Sequence, residues 1–144
     1  RVGRKAALCS IALWALEGTS MLPIQIQVGD LRLRGELNNI KCAQTLARLL
    51  PLTAEFQVWG DELHFEVVLE GDTGEHPDKS VNIGDIGFWS EGSTLCIFFG
   101  PTPTSPGEDP VSAVPVTIVG RVSSFEKLRT CKEAGEIILR AHLV

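Results

Sequence analysis

Apolar and polar residues alternate along most of the chain from Met21 onward. In "LPIQIQV" (22–28) apolar side chains alternate with glutamines, and in "LRLRGEL" (31–37) leucines alternate with arginines. A period of two places the apolar side chains on one face of a strand, so both segments are predicted to be half-buried strands. Gly29 and Asp30 between them have the composition of a two-residue hairpin turn. The pattern therefore predicts a β-hairpin over residues 22–37.

Six further segments have the character of strands. They read "AEFQVW" (54–59), "ELHFEVVL" (62–69), "SVNIGDIGFW" (80–89), "STLCIFF" (93–99), "VPVTIVGRV" (114–122) and "EIILRAHLV" (136–144). Turn residues join the first two of these at Gly60 and Asp61, and the next two at Ser90–Gly92. Two polar loops, 70–79 and the proline-rich 100–110, interrupt the series. Together with the hairpin, these segments make eight predicted strands.

Two segments have helical spacing instead. The first, near residues 40–50, follows two asparagines that can cap a helix and ends at a proline. The second, over residues 123–134, opens on a capping box formed by Ser123 and Glu126 and ends at a glycine. Eight short strands with two helices suit a mainly β fold. We predict a closed or nearly closed eight-stranded antiparallel β-barrel with a helix over each open end.

Composition and charge limit the classes of partner. The chain has 144 residues, which suits one domain over residues 21–144, and a formal net charge of −5. This charge argues against nucleic acid, whose phosphates require clustered lysine and arginine. The chain contains no apolar run of the ~18–20 residues that cross a bilayer, so no membrane partner is expected.

The four cysteines are widely separated along the chain. Cys9, Cys42, Cys96 and Cys131 form no C-x-x-C pair, and none has a histidine at the spacing of a zinc site. We interpret them as reduced thiols in a cytoplasmic protein, which is favoured over a disulfide framework.

Residues 1–20, "RVGRKAALCSIALWALEGTS", differ from the rest of the chain. A basic start followed by an apolar run from Ala6 to Leu16 resembles a secretory signal, but Glu17 stands where a cleavage site requires small residues. Met21 is the only methionine and immediately precedes the first predicted strand. We therefore predict that residues 1–20 are an extension outside the fold, either upstream sequence or part of a longer chain. The alternative, a genuine signal, would make the protein secreted.

Three sequence words carry a resemblance to a known family. "VWGDELHF" (58–65), "IGDIGFWSEGSTLCIFFGPTP" (83–103) and "VTIVGRV" (116–122) resemble the small bacterial and archaeal cyclophilin-like proteins. The order of predicted elements is similar to that of the cyclophilin fold, an eight-stranded barrel capped by two helices. The resemblance extends over residues 21–144 and implies this fold. It implies no particular reaction, because that group of proteins has no established biochemical role.

One departure from the family bears on catalysis. True prolyl isomerases of this fold carry a catalytic arginine within a Phe-His-Arg segment on a central strand. The comparable strand here, "ELHFEVV" (62–68), has Glu62 and Glu66 and no arginine. A carboxylate cannot replace the arginine, whose hydrogen bond near the prolyl nitrogen weakens amide resonance. We therefore predict a module that binds a peptide, a protein or a small molecule without catalysis; the alternative is a weak peptidyl-prolyl isomerase.

Aromatic residues near the longest of these words are the candidate binding residues. Aromatic side chains on alternating strands usually pack in the core, yet the adjacent Phe98 and Phe99 cannot both point inward on a regular strand. One of the two is therefore expected to face solvent, a helix or a groove. Asp61 and Glu62 could supply a polar group at such a groove, or could form an exposed acidic turn. The candidate ligand-binding residues are Trp59, Glu62, Phe65, Trp89, Phe98, Phe99 and Thr102.

The remaining residue patterns indicate no further chemistry. His64, His76 and His142 are isolated in sequence, so no metal site is predicted, and the two strand histidines are expected to face water. The chain has no nucleophile elbow, phosphate-binding loop or dinucleotide-binding glycine pattern. We therefore predict no catalytic residues and no cofactor.

Overall fold

A computed structural model describes residues 21–71 and 73–142. The predicted N-terminal extension lies outside the described residues. Strands account for nearly half of this part of the chain, which also contains one α-helix, α1 (Lys41–Ala47), and one 3₁₀ helix (Phe125–Thr130). The strands are β1 (Leu22–Val28), β2 (Leu31–Leu37), β3 (Leu52–Glu55), β4 (Gln57–Val58), β5 (Glu62–Glu66), β6 (Asp78–Ser80), β7 (Asp85–Trp89), β8 (Thr94–Phe98), β9 (Val111–Val122) and β10 (Glu136–Ala141).

All strand pairs in this part of the chain are antiparallel, as the alternating pattern predicts. Hydrogen-bonded neighbours follow the order β3-β10-β1-β2-β9-β7-β8-β5-β4, and β6 pairs with β9 at the side. The two terminal strands, β3 and β4, do not pair with each other. The mainly β, antiparallel class is confirmed, whereas the prediction of a closed barrel of eight strands is wrong: the described sheet has ten strands and is open.

Two local features account for the additional strands. The predicted strand 54–59 is divided at Phe56, whose N–H donates to the Gly135 carbonyl oxygen at 2.9 Å instead of joining either neighbouring ladder. The second feature is β6, which spans the end of the predicted polar loop 70–79 and the first residue of the predicted strand 80–89 and pairs with β9. Its three residues are exposed and polar, so their side chains give no alternating signal.

The prediction of a helix near residues 40–50 is confirmed, whereas the prediction of a helix over residues 123–134 is wrong in type and length. Helix α1 starts at Lys41 without a side-chain cap from the preceding residue, and the Cys42 N–H instead donates to Glu75 Oε1 at 2.7 Å. The segment 123–134 contains only the short 3₁₀ helix and no α-helix. Its predicted capping box is wrong, because Ser124 precedes the helix in the left-handed conformation and makes no capping bond. None of the described helices is long and apolar enough to span a membrane.

Apolar side chains are buried on both faces of the sheet. The inner face holds the main core, which α1 covers with Cys42, Ala43, Leu46 and Ala47. A smaller cluster lies on the opposite face of β7, β8 and β9 and consists of Val81, Cys96, Phe98 and Val116, with Trp89, Val114 and Ile118 packed against it. This outer cluster shows that the sheet is covered on part of its outer face as well.

Strand β9 provides this outer cover because it bends. Its last residues pair with β2 and β7, whereas its first residues pair with β6. A register shift between Ile86 and Gly87 marks the bend. Gly87 allows β9 to lie close, since a Cβ there would stand 2.8 Å from Val116 Cγ2. The N-terminal part of β9 thus lies beside the outer face of β8 and forms one wall of the cavity that follows.

Candidate functional site

A cavity of about 320 Å³ opens on the outer face of the sheet, at the edge of the outer cluster. Its volume is at the low end of the ~300–1,000 Å³ typical of small-molecule sites. The lining residues come from β5, β7, β8, the start of β9 and the turn before β5. They are Trp59, Glu62, His64, Trp89, Thr94, Cys96, Ser112, Ala113 and Val114.

The strand period explains why polar side chains reach this cavity. On β5 the side chains of Leu63 and Phe65 enter the main core, so those of Glu62 and His64 point to the outer face. The antiparallel register places His64 directly opposite Cys96 on β8. A carboxylate, an imidazole and a thiol are therefore neighbours on one face, although they are distant in sequence.

The two tryptophans are positioned by turns. Trp59 lies in the β4–β5 turn, where its backbone N–H donates to the Glu62 backbone carbonyl oxygen at 2.9 Å. Trp89 ends β7, and its indole lies directly against Gly92 in the following turn. Both side chains are half-buried, so each has one part packed and another part available in the cavity.

Glu62 is the most buried ionisable group of the cavity. Its residue is only 6% exposed. Burial raises the pKa of the Glu62 carboxyl from 4.5 to about 7, and a hydrogen bond with the Cys96 thiol partly offsets this rise. The carboxylate is therefore held in a poorly solvated position at the wall of an open cavity.

His64 lies beside this carboxylate without bonding to it. Its Nδ1 stands 3.4 Å from Glu62 Oε2, but this nitrogen is buried and has no hydrogen-bond partner. Burial lowers the pKa of the His64 imidazole below 6.5, which favours the neutral ring. His64 was expected to face water; it lies half-buried in the cavity wall, with its side chain 29% exposed.

Cys96 is a free thiol at the floor of the cavity. Burial, followed by the nearby Glu62 carboxylate, raises its pKa well above 9.0. Thiolate chemistry requires a lowered pKa, so this environment makes Cys96 a poor nucleophile. Cys42 and Cys131 are free thiols too, as predicted, whereas Cys9 lies outside the described residues.

The structure brings three of the predicted site residues together and separates the other four. Trp59, Glu62 and Trp89 line the cavity. Phe65 and Phe99 belong to the main core, and Phe98 belongs to the outer cluster. Phe98 and Phe99 do point to opposite sides, but both are fully buried, so neither is exposed to solvent.

Thr102 has a role in the proline-rich loop instead. It is 6% exposed, and its hydroxyl donates to the Val111 carbonyl oxygen at 2.6 Å. Its N–H donates to Ser105 Oγ at 2.9 Å. These bonds attach the loop to the start of β9, so Thr102 supports the cavity wall without lining it.

Asp61 also lies outside the cavity lining, although it adjoins Glu62. Its carboxylate pairs with Lys132 Nζ at 2.5 Å and with Arg129 Nε at 3.2 Å. The Lys132 ammonium lies 5.6 Å from the centroid of the Phe99 ring. Asp61 therefore fastens the segment around the 3₁₀ helix to the turn before β5.

Sequence reasoning missed His64, Cys96 and the β9 residues from Ser112 to Val114 as lining residues. For the first two, strand alternation carried a usable signal: they share the period-two face of Glu62 and Phe98. The β9 wall depends on a bend that no local pattern predicts.

Two other cavities differ in their chemistry. Trp89 also lines a smaller one, of about 200 Å³, where the hydroxyl of Thr117 is buried without a hydrogen-bond partner. A groove of about 550 Å³ lies along Arg48, Leu49 and Val68. Neither is lined by both tryptophans. Among residues 21–71 and 73–142, no group of three or more His, Cys, Asp or Glu side chains could hold a metal ion.

Comparison with known proteins places the fold. The hypothetical protein AF2241 from Archaeoglobus fulgidus, known from its solution structure, is similar with a TM-score of 0.71 and 23% sequence identity; the match covers 85% of this chain and 95% of that chain. At this identity the likeness concerns the fold alone. A comparison with curated proteins gave no match. The model of the family described as Cyclophilin-like matches residues 22–140, and the chain therefore belongs to that family.

Proposed function

We propose that the protein is a binding module that takes a peptide or a small molecule in the cavity between Trp59 and Trp89, without catalysing a reaction. The observation that carries this proposal is the pairing of two half-buried indoles with a buried carboxylate in one open cavity. Apolar walls with a few polar groups that fix orientation are typical of ligand sites.

The chemistry of the cavity wall supports binding over catalysis. Its thiol has a raised pKa, and its imidazole nitrogen beside Glu62 has no hydrogen-bond partner. A nucleophile and base that act together need mutual hydrogen-bonding reach and matched pKa values. The pKa values of Cys96 and His64 are not matched in this way, because burial raises the pKa of the thiol and lowers that of the imidazole.

Prolyl isomerisation is the second candidate, since the family shares its fold with enzymes of that activity. No arginine is among the described residues that line the cavity. Arg121 and Arg129 form ion pairs with Asp85 and Asp61. Without a cation near the prolyl nitrogen, electrostatic weakening of the amide has no source in this wall.

Binding can be tested by titrating the protein with a fragment library and a series of Xaa-Pro peptides while following tryptophan fluorescence. We expect at least one compound to change the emission, and Trp59→Ala to weaken its binding about tenfold or more. Val68→Ala is the matched control, because Val68 is an exposed apolar residue of a different groove.

The same variants test the alternative. In a protease-coupled assay on Xaa-Pro peptides we expect no acceleration by the wild-type protein. Strong acceleration that Trp59→Ala abolishes and Val68→Ala preserves would make the protein an isomerase and overturn the proposal.

A further inference from the structure

We infer that the ligand of this cavity carries an organic cation, an alkylated ammonium group that sits between the two indoles and against the Glu62 carboxylate. This inference rests on the proposed binding function and specifies the class of ligand. It arises from three properties of the wall: its aromatic faces, its unbalanced carboxylate and its size.

The aromatic faces are the first property. Trp59 and Trp89 both line the cavity and are both only half-buried. Indole attracts cations more strongly than other aromatic side chains do, and the attraction is larger when the cation is desolvated. Alkylated ammonium groups suit such a site because they lose little hydration on leaving water.

The unbalanced carboxylate is the second property. Glu62 is buried in the same wall, and its only ion-pair partner within the described residues is His64. His64 is a poor counter-ion, because burial favours its neutral ring. The described lysine and arginine side chains that form ion pairs use Asp61 and Asp85 instead. A buried charge is costly unless it is paired, so a ligand cation would supply what the protein leaves out.

No other charged group of the wall competes with this assignment. Cys96 from β8 faces Glu62 as a neutral thiol, and the residues that β9 contributes, Ser112, Ala113 and Val114, carry no charge. A cation in the cavity would therefore meet one carboxylate and no fixed positive charge among the described lining residues. Aromatic attraction and ion pairing would act on the same group of the ligand.

Size is the third property. At about 320 Å³ the cavity has room for a compact head group. Both a free quaternary amine and the side-chain end of a methylated lysine have this chemistry. The two sources differ in whether the remainder of the ligand is a peptide.

The test compares choline with 3,3-dimethylbutan-1-ol, its uncharged isostere, on the wild-type protein by calorimetry and tryptophan fluorescence. We expect choline to bind at least about tenfold more tightly, because only the cation gains from the indoles and the carboxylate. We also expect Glu62→Gln to reduce this preference for choline over the alcohol about tenfold or more, because the variant removes the charge that pairs with the cation. Equal binding of the two isosteres would overturn the cation assignment.

Two further arms complete the design. Binding of choline is expected to tighten between about pH 6 and about pH 8, as Glu62 loses its proton, and this dependence should vanish in Glu62→Gln. The source of the cation is identified with a short peptide that contains trimethyl-lysine, compared with the same peptide containing norleucine. If the affinity ratio of these two peptides is larger than the ratio of choline to its uncharged isostere, the ligand is a peptide. If the two ratios are equal, the ligand is a free amine. Tight binding of the alcohol alone would leave the proposed binding function standing while refuting the cation.

Discussion

The carboxylate of Glu62 and the imidazole of His64 lie 3.4 Å apart on the outer face of β5, yet each is shifted toward its uncharged form. Burial raises the pKa of the acid and lowers that of the base, so the contact does not behave as a stable ion pair. Because the shifts have opposite signs, the two residues should affect stability in opposite directions as the pH changes.

Glu62 should make the protein less stable as the pH rises. Its pKa is about 7 in the folded protein against 4.5 for an ordinary glutamate, so between these values the folded state holds a proton that the unfolded state has lost. The favourable contribution is complete below the lower value and is lost as the pH rises through the upper one. Urea unfolding should show Glu62→Gln gaining about 2 kcal/mol on the wild type between about pH 5 and about pH 8, after allowance for screening at the open cavity. A constant difference would contradict the raised pKa.

His64 should have the opposite effect. Its lowered pKa means that the unfolded state takes up a proton first as the pH falls below 6.5, so its contribution to stability is present above this value and is lost below it. We expect His64→Gln to lose less stability than the wild type on acidification, measured by thermal unfolding from about pH 7 to about pH 5. His76→Gln, which replaces an exposed histidine outside the cavity, is the control for the loss of an imidazole.

Gly92 should be essential for the position of Trp89. A methyl group at this position would overlap the Cε3 and Cζ3 atoms of the indole. We therefore expect Gly92→Ala to shift the tryptophan emission and to weaken ligand binding about tenfold. Gly107→Ala is the matched control, since a methyl group there meets nothing within 4 Å. Unchanged emission in Gly92→Ala would mean that the indole does not rest on this glycine.

Asp61 should contribute to stability in a salt-dependent manner. Its carboxylate is 14% exposed, but Arg129 and Lys132 are 56% and 35% exposed, so solvent screens both pairs. We expect Asp61→Asn to cost about 1 kcal/mol in urea unfolding at low salt and less at about 1 M salt. Glu133→Gln removes an exposed charge of the same segment and should cost almost nothing. Equal losses for the two variants would show that the Asp61 pairs do not stabilise the fold.

Local pattern was sufficient for much of the sheet and for part of the site. The hairpin of β1 and β2 has the predicted turn at Gly29 and Asp30, because its signal is contained within sixteen consecutive residues. Trp59 and Trp89 were candidates because they are aromatic residues of the segments that resemble the family, which is also a local property of the sequence. Such features depend only on neighbours in the sequence.

The remainder depends on contacts that the local pattern does not contain. Phe56 interrupts a strand because its N–H bonds to Gly135, far along the chain. Either Phe98 or Phe99 was expected to face solvent, a helix or a groove, but the bend of β9 covers Phe98 with Val116 and makes that face a second apolar cluster. The position of Cys96 opposite His64 became visible only with the register of β5 against β8.

The bond from the Cys42 N–H to Glu75 has a consequence for the order of folding. Helix α1 has seven residues and no cap from its own N-cap side chain, and its acceptor lies 33 positions away. Isolated helices of this length are unstable in water, so a peptide of residues 38–50 should be a random coil. We therefore expect the helix to form only when the polar loop 70–79 reaches its first turn, as a product of tertiary assembly and not as a nucleus for it.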